Sequence, residues 1–142
     1  MTQNKLAWLV GMACFTALLA LAQSAGSSVW DGVYSEQQAN RGDSLYAAKC
    51  ASCHGTSLTG GESAPPLAGG EFLSNWNGLT LGDLFERTRT TMPANRPGAL
   101  TREECADVLA YLLKMNQFPV GKTDLARQTE FLKLIRLDAQ KP

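Results

Sequence analysis

The clearest pattern lies between residues 101 and 118. Thr101 stands three residues before Glu104, and apolar residues then recur at Cys105, Val108, Leu109, Leu112 and Met115. The first spacing is a capping box, and steps of three and four put the apolar side chains on one stripe of a helix. Phe118-Pro119 closes it. The stripe predicts a core-facing helix, with Met115 in the core and Cys105 an inert buried thiol. Thr80 and Asp83 repeat the cap ahead of Leu81, Leu84 and Phe85, in a helix expected to end before Met92-Pro93. Ser35, with Gln38 as its capping-box partner, opens a third predicted helix from about Glu36 through Cys50.

Between these helices the pattern loosens. Residues 55–70 are rich in Gly, Ser, Thr and Pro, and residues 94–100 contain Pro97-Gly98, so both read as loop. Ser24 to Ser28 reads as a flexible lead-in, and the more apolar Val29 to Tyr34 as a segment on the domain edge. The tail from Gly121 to Pro142 suggests a further helix from Thr123. Its apolar residues, Leu125, Phe131, Leu132, Leu134, Ile135 and Leu137, fit no single period. No repeat and no convincing strand is visible. The expected class is all-α, with long loops that need something to pack on.

The N-terminus follows different rules. Lys5 precedes an uncharged, mostly apolar run from Leu6 to Ala22, and Ala20-Leu21-Ala22 fits a small-x-small cleavage site. Residues 1–22 therefore read as an export signal with Gln23 as the mature start, or, uncleaved, as a membrane anchor. Cys14 follows a poor lipobox and is read as part of the signal. The expected division is 1–22 signal or anchor, 23–35 lead-in, 36–117 domain and 118–142 extension. Localisation is then periplasmic or otherwise exported. With 142 residues there is room for one domain, and a formal net charge of zero implies no nucleic-acid partner.

The chemistry concentrates in Cys50-Ala51-Ser52-Cys53-His54, a C-x-x-C-H run that holds the only histidine of the chain. This is the attachment signature of c-type haem. On a helix, i, i+3 and i+4 share a face. Two thiols can then add to the two vinyl groups of one porphyrin while the imidazole reaches its iron. A thioredoxin-type reading wants a βαβ setting, which is not visible. A structural zinc site wants four ligands, and beyond these three only Cys105 is an obvious candidate.

Residues 36–117 resemble the single-haem class I cytochromes c of bacteria. The resemblance rests on Gly42, Tyr46, Cys50, Cys53 and His54, then Ala64-Pro65-Pro66-Leu67, Trp76, Met92-Pro93 and residues 107–112. It implies a cytochrome c fold, a few helices around one covalently bound haem c.

With His54 used, two methionines remain after residue 22, Met92 and Met115. Met92, in a loop before Pro93, suits the sixth iron position, and the resemblance places the distal ligand there. The resemblance also implies that Gly42 and Tyr46 pack against Val108 and Tyr111. It gives His54 the Pro65 carbonyl as acceptor for its other ring N–H, and aims the Trp76 indole at a haem propionate. Ala64 stands where the family usually has glycine, which puts the local turn in question. An ordinary buried aromatic is the other reading of Trp76.

The expected function is one-electron transfer without catalysis, with a His54/Met92-ligated iron. Partners would be redox proteins, a donor and an acceptor, including a membrane-bound or periplasmic dehydrogenase or oxidase. The alternatives are a haem subunit of such a complex, or a haem enzyme with an open iron.

Overall fold

The computed structural model describes residues 27–62 and 64–142. The signal or anchor expected at residues 1–22 and the start at Gln23 lie outside the described residues. A short strand β1 (Ser27–Ser28) leads through a 3-10 turn into helix α1 (Glu36–Lys49) and the single-turn α2 (Ala51–His54). Then come α3 (Gly70–Trp76), α4 (Leu81–Thr91), α5 (Arg102–Met115), α6 (Thr129–Leu132) and strand β2 (Ile135–Arg136). Among the described residues no helix is long and apolar enough to cross a membrane.

The caps explain the helix starts. Thr80 and Thr101 both form the full reciprocal box, with Asp83 and Glu104 respectively. Ser35 forms half of one. Its hydroxyl accepts from the Gln38 N–H at 3.1 Å, but the Gln38 side chain turns inward instead. Its amide donates to the Leu125 carbonyl at 3.2 Å and accepts from the Leu125 N–H. The expected box is thus replaced by a buried bridge to the tail, which satisfies both ends of a side chain only 2 % exposed.

Helices α1 and α5 form the main packed pair. α1 buries Gln38, Ala39, Gly42 and Tyr46, a stripe of threes and fours. At their crossing, a Cβ on Gly42 would lie 1.9 Å from the Asp107 carbonyl oxygen and 2.8 Å from Tyr111 Cβ. The close approach is therefore to Asp107 and Tyr111, while Val108 packs nearby with Tyr46. The Tyr46 and Tyr111 rings meet at 5.3 Å between centroids.

Four expectations are corrected. Met115 is 39 % exposed rather than in the core. The next inward position after Leu112 is taken by Asn116, so the stripe ends one residue beyond Met115. The tail is not a helix from Thr123 but a winding segment with the one-turn α6. The lead-in is ordered at Ser27–Ser28, and the chain does contain strands, since β1 and β2 pair in parallel, Ser27 with Ile135 and Ser28 with Arg136.

Both flanks enter one core. Val29, Tyr34, Leu125, Leu132 and Leu137 are nearly or fully buried in the same cluster as Leu81, Phe85, Cys105 and Leu109. The Tyr34 hydroxyl donates to the Phe118 carbonyl at 2.8 Å, and the Trp30 indole donates to the Asp138 carbonyl at 2.9 Å.

Candidate functional site

Cys50 sits at the joint between α1 and α2, with φ −126° and ψ −37°, so the helix expected to run unbroken into the motif breaks there. The motif keeps its turn nonetheless. The N–H groups of Cys53 and His54 both donate to the Cys50 carbonyl, at 3.1 and 3.0 Å. No disulfide joins the two cysteines. Burial pushes the Cys50 thiol pKa upward.

His54 is 7 % exposed. Its Nδ1 lies 2.8 Å from the Pro65 carbonyl oxygen. A carbonyl only accepts, so Nδ1 carries a proton, and in the neutral ring Nε2 then carries the free lone pair. This is the partnering a metal-bound imidazole uses to fix its tautomer.

The loop that brings Pro65 there is folded on itself. The Gly60 N–H donates to the His54 carbonyl at 2.9 Å, and the Gly61 N–H to Ala64 at 2.9 Å. Ala64 in place of glycine thus leaves the Pro65 contact intact. Gly60 has φ +77°, and a Cβ there would lie 2.7 Å from both the Ala64 carbonyl oxygen and the Pro66 nitrogen, so glycine suits both conformation and space. The Tyr46 hydroxyl donates to the Gly55 carbonyl at 2.7 Å, fixing the turn after His54. Burial raises its pKa to about 12.

Asn116 closes the loop from the other side. Its amide donates to Leu67 at 3.0 Å and to Leu112 at 2.8 Å, and its carbonyl accepts from the Gly69 N–H at 3.0 Å. Sequence reading missed Asn116 and Gly60. The Gly60-Gly61 pair was a signal for the second. Nothing local marks the first, because all but one of its partners lie far away in the chain.

Cys50, Cys53, His54, Pro65, Trp76 and Met92 line one cavity of about 900 Å³, near the top of the usual range for cofactor sites, about 300–1,000 Å³. Apolar side chains, among them Phe72, Leu84, Leu100, Val108 and Leu112, make much of the wall. Met92 ends α4 with extended backbone and stands on the wall, whereas Met115 does not line it. Trp76 is half-buried, tilted against Phe72 at 6.4 Å between ring centroids. Cys105 lies apart in the core, its thiol donating to Phe85 at 3.6 Å, and burial raises its pKa to about 12. Among the described residues no three His, Cys, Asp or Glu side chains converge on a metal site.

These residues fit a haem. Two thiols, an imidazole with its lone pair free, a thioether and an apolar wall share one cavity of the right size. That donor set suits iron porphyrin better than a hard cation.

The comparisons with known proteins bear on the fold and the family. A solved chain from the sulfane dehydrogenase SoxCD of Paracoccus pantotrophus matches with a TM-score of 0.50 at 23 % identity. The match covers 75 % of this chain and 61 % of that one. At that identity it is a likeness of fold. No curated protein matches the sequence. The family model described as cytochrome c oxidase, cbb3-type, subunit III matches residues 37–112. Those residues are more than half of the chain and take in the motif, Pro65, Trp76 and Met92, so the chain belongs to this family of c-type cytochromes.

Proposed function

We propose that the cavity holds a single haem c, joined covalently to Cys50 and Cys53 and ligated by His54 and Met92, and that the protein passes single electrons between redox partners without catalysing a reaction. One observation carries the reading. His54 spends Nδ1 on Pro65 at 2.8 Å, and so keeps Nε2 for a metal in a cavity that also contains both thiols and Met92. The group supplies a one-electron Fe(III)/Fe(II) couple, whose potential a methionine ligand raises.

The protein's own work is positional. Pro65 and the Gly55–Gly61 turn hold the imidazole in one tautomer and orientation. Apolar side chains keep water from the iron. A closed coordination sphere leaves no position for O₂ or peroxide, which favours a carrier over an enzyme.

A second reading has its own support. The matching family is described as an oxidase subunit, and the structural neighbour comes from a dehydrogenase. The same chemistry would then serve a larger complex. The Lys5 and Leu6–Ala22 pattern supports delivery to the periplasm, free or membrane-anchored, and N-terminal sequencing of native material tests that.

The decisive experiment is on the iron. Acid-acetone extraction should leave the colour on the protein. Met92→Ala should abolish the weak sulfur-to-iron charge-transfer band of the oxidised protein, admit carbon monoxide when reduced and lower the potential. Met115→Ala should change none of these. Colour lost on extraction, or a band that depends on Met115 instead, would overturn the assignment.

A further inference from the structure

The cavity wall carries three basic side chains, Lys49, Arg87 and Arg96, and no carboxylate. Lys49 is already neutralised by Glu104 at 2.6 Å. Among the described residues neither Arg87 nor Arg96 has an ion-pair partner. The other nearby arginine behaves differently. Arg89 pairs with Glu86 at 2.8 Å and is not part of the wall.

The placement of Arg87 follows from helix geometry. Leu84, Arg87 and Thr88 all line the cavity, an i, i+3, i+4 stripe on α4. Arg96 lies four residues beyond Met92 in the next loop. Both are exposed, so they stand where the cavity opens to solvent. A largely apolar cavity with two guanidiniums at its opening, neither ion-paired among the described residues, suits an apolar ligand that ends in anions. Guanidinium is the cation best shaped for a carboxylate.

We propose that Arg87 and Arg96 bind the two propionate carboxylates of the haem, and so orient the group and hold its potential up. This rests on the haem reading above. A carboxylate left unneutralised stabilises the more positive ferric state, and a paired cation cancels that effect. The arginines are positioning residues. They touch the rim of the group and leave ligation to His54 and Met92.

The test uses the full chain matured with haem, its midpoint potential read by spectroelectrochemistry. In the double variant R87Q/R96Q, two unit charges are lost from the cavity wall. The ferrous-to-ferric ratio at the wild-type midpoint should fall about threefold or more, a downward shift of about 28 mV at 59 mV per tenfold. The charge-transfer band should persist, because the ligands are unchanged. R87K/R96K should recover most of the shift, since charge matters more than shape for the potential. R89Q should move it much less. Failure of R87Q/R96Q to load haem, with R87K/R96K loading normally, would support the same role. A loaded R87Q/R96Q protein whose midpoint moves no more than that of R89Q would overturn this inference alone. A wild type that binds no haem would overturn the functional reading with it.

Discussion

Around His54 the chain closes on itself over short distances, while the two ends of the described sequence meet across nearly its whole length. His54 finds Pro65 eleven residues on, and Tyr46 finds Gly55 nine residues on. Ser28 and Trp30 reach Asp138 across separations of 110 and 108 residues, and Tyr34 reaches Phe118 across 84. The first region supplies chemistry through turns that a few residues specify. The second supplies burial, and it is a brace. Tail residues 118–142 and lead-in residues 27–35 clasp one another and cover the side of the core formed by Leu81, Phe85 and Leu109. The family match covers residues 37–112, so the brace lies outside the matched residues.

The harshest test of that division is to remove the brace. A chain ending at Gln117 loses Leu125, Leu132 and Leu137, all at most 2 % exposed, and with them the cover over Val29 and Tyr34. It should show no cooperative unfolding transition by circular dichroism. The milder version, Leu132→Ala, should cost about 2–5 kcal/mol in urea denaturation. A truncated chain that unfolds cooperatively and keeps its haem spectrum would mean that residues 36–117 stand alone and that the brace is incidental.

Two glycines, one in each region, sharpen the contrast. A Cβ on Gly42 would lie 1.9 Å from the Asp107 carbonyl oxygen, and one on Gly121 would lie 1.7 Å from the Gly32 carbonyl oxygen. Backbone cannot yield cheaply in either place, so each alanine variant should lose about 3 kcal/mol. Their spectra should differ. Gly42→Ala forces α1 away from α5 and shifts Cys50 and His54, so the folded fraction should show altered absorption and potential. Gly121→Ala opens only the clasp, and its folded fraction should absorb like wild type. Equal spectral changes in both would mean that the regions are mechanically coupled.

The same contrast explains what the sequence let us read. Capped starts at Ser35, Thr80 and Thr101 and the C-x-x-C-H motif were legible because each depends on residues close in the chain, whereas the His54–Pro65 contact was expected only from the family resemblance. Met115 was misplaced because periodicity gives a stripe but not where it stops. That is decided by Asn116, whose partners at Leu67 and Gly69 are nearly fifty residues away. The tail hid for a similar reason. Its leucines are spaced to fit pockets between α4, α5 and the lead-in rather than to repeat along one helix, so no period could appear. Arg87 was passed over because a surface arginine on a helix is ordinary until the cavity beneath it is seen to lack a carboxylate.

The smallest expected effect lies where the two regions join. Ser35, the N-cap of α1, donates its hydroxyl hydrogen to Asp124 of the tail, and Asp124 also accepts from Arg41 at 2.8 Å. Arg41 in turn makes a two-pronged pair with the buried Asp107 of α5, at 2.9 and 3.0 Å. The start of α1 is therefore tied to tail and core, while its end carries Cys50. The Ser35 and Arg41 hydrogen bonds hold the Asp124 carboxyl below the usual carboxylate pKa. A depressed folded pKa contributes stability that is fully present above the unfolded value, about 3.9, and is lost as pH falls through the lower folded value. Asp124→Asn keeps an acceptor for Ser35 and removes the charge. The variant should be slightly less stable than wild type in urea above pH 5, by a margin kept small because Asp124 is 51 % exposed. That margin should shrink as pH falls below about 4, and also in 1 M salt, where the Debye length is about 3 Å. A margin that survives both low pH and high salt would mean that the tail grips α1 through shape alone, and the charge at Asp124 would have no part in joining the two regions.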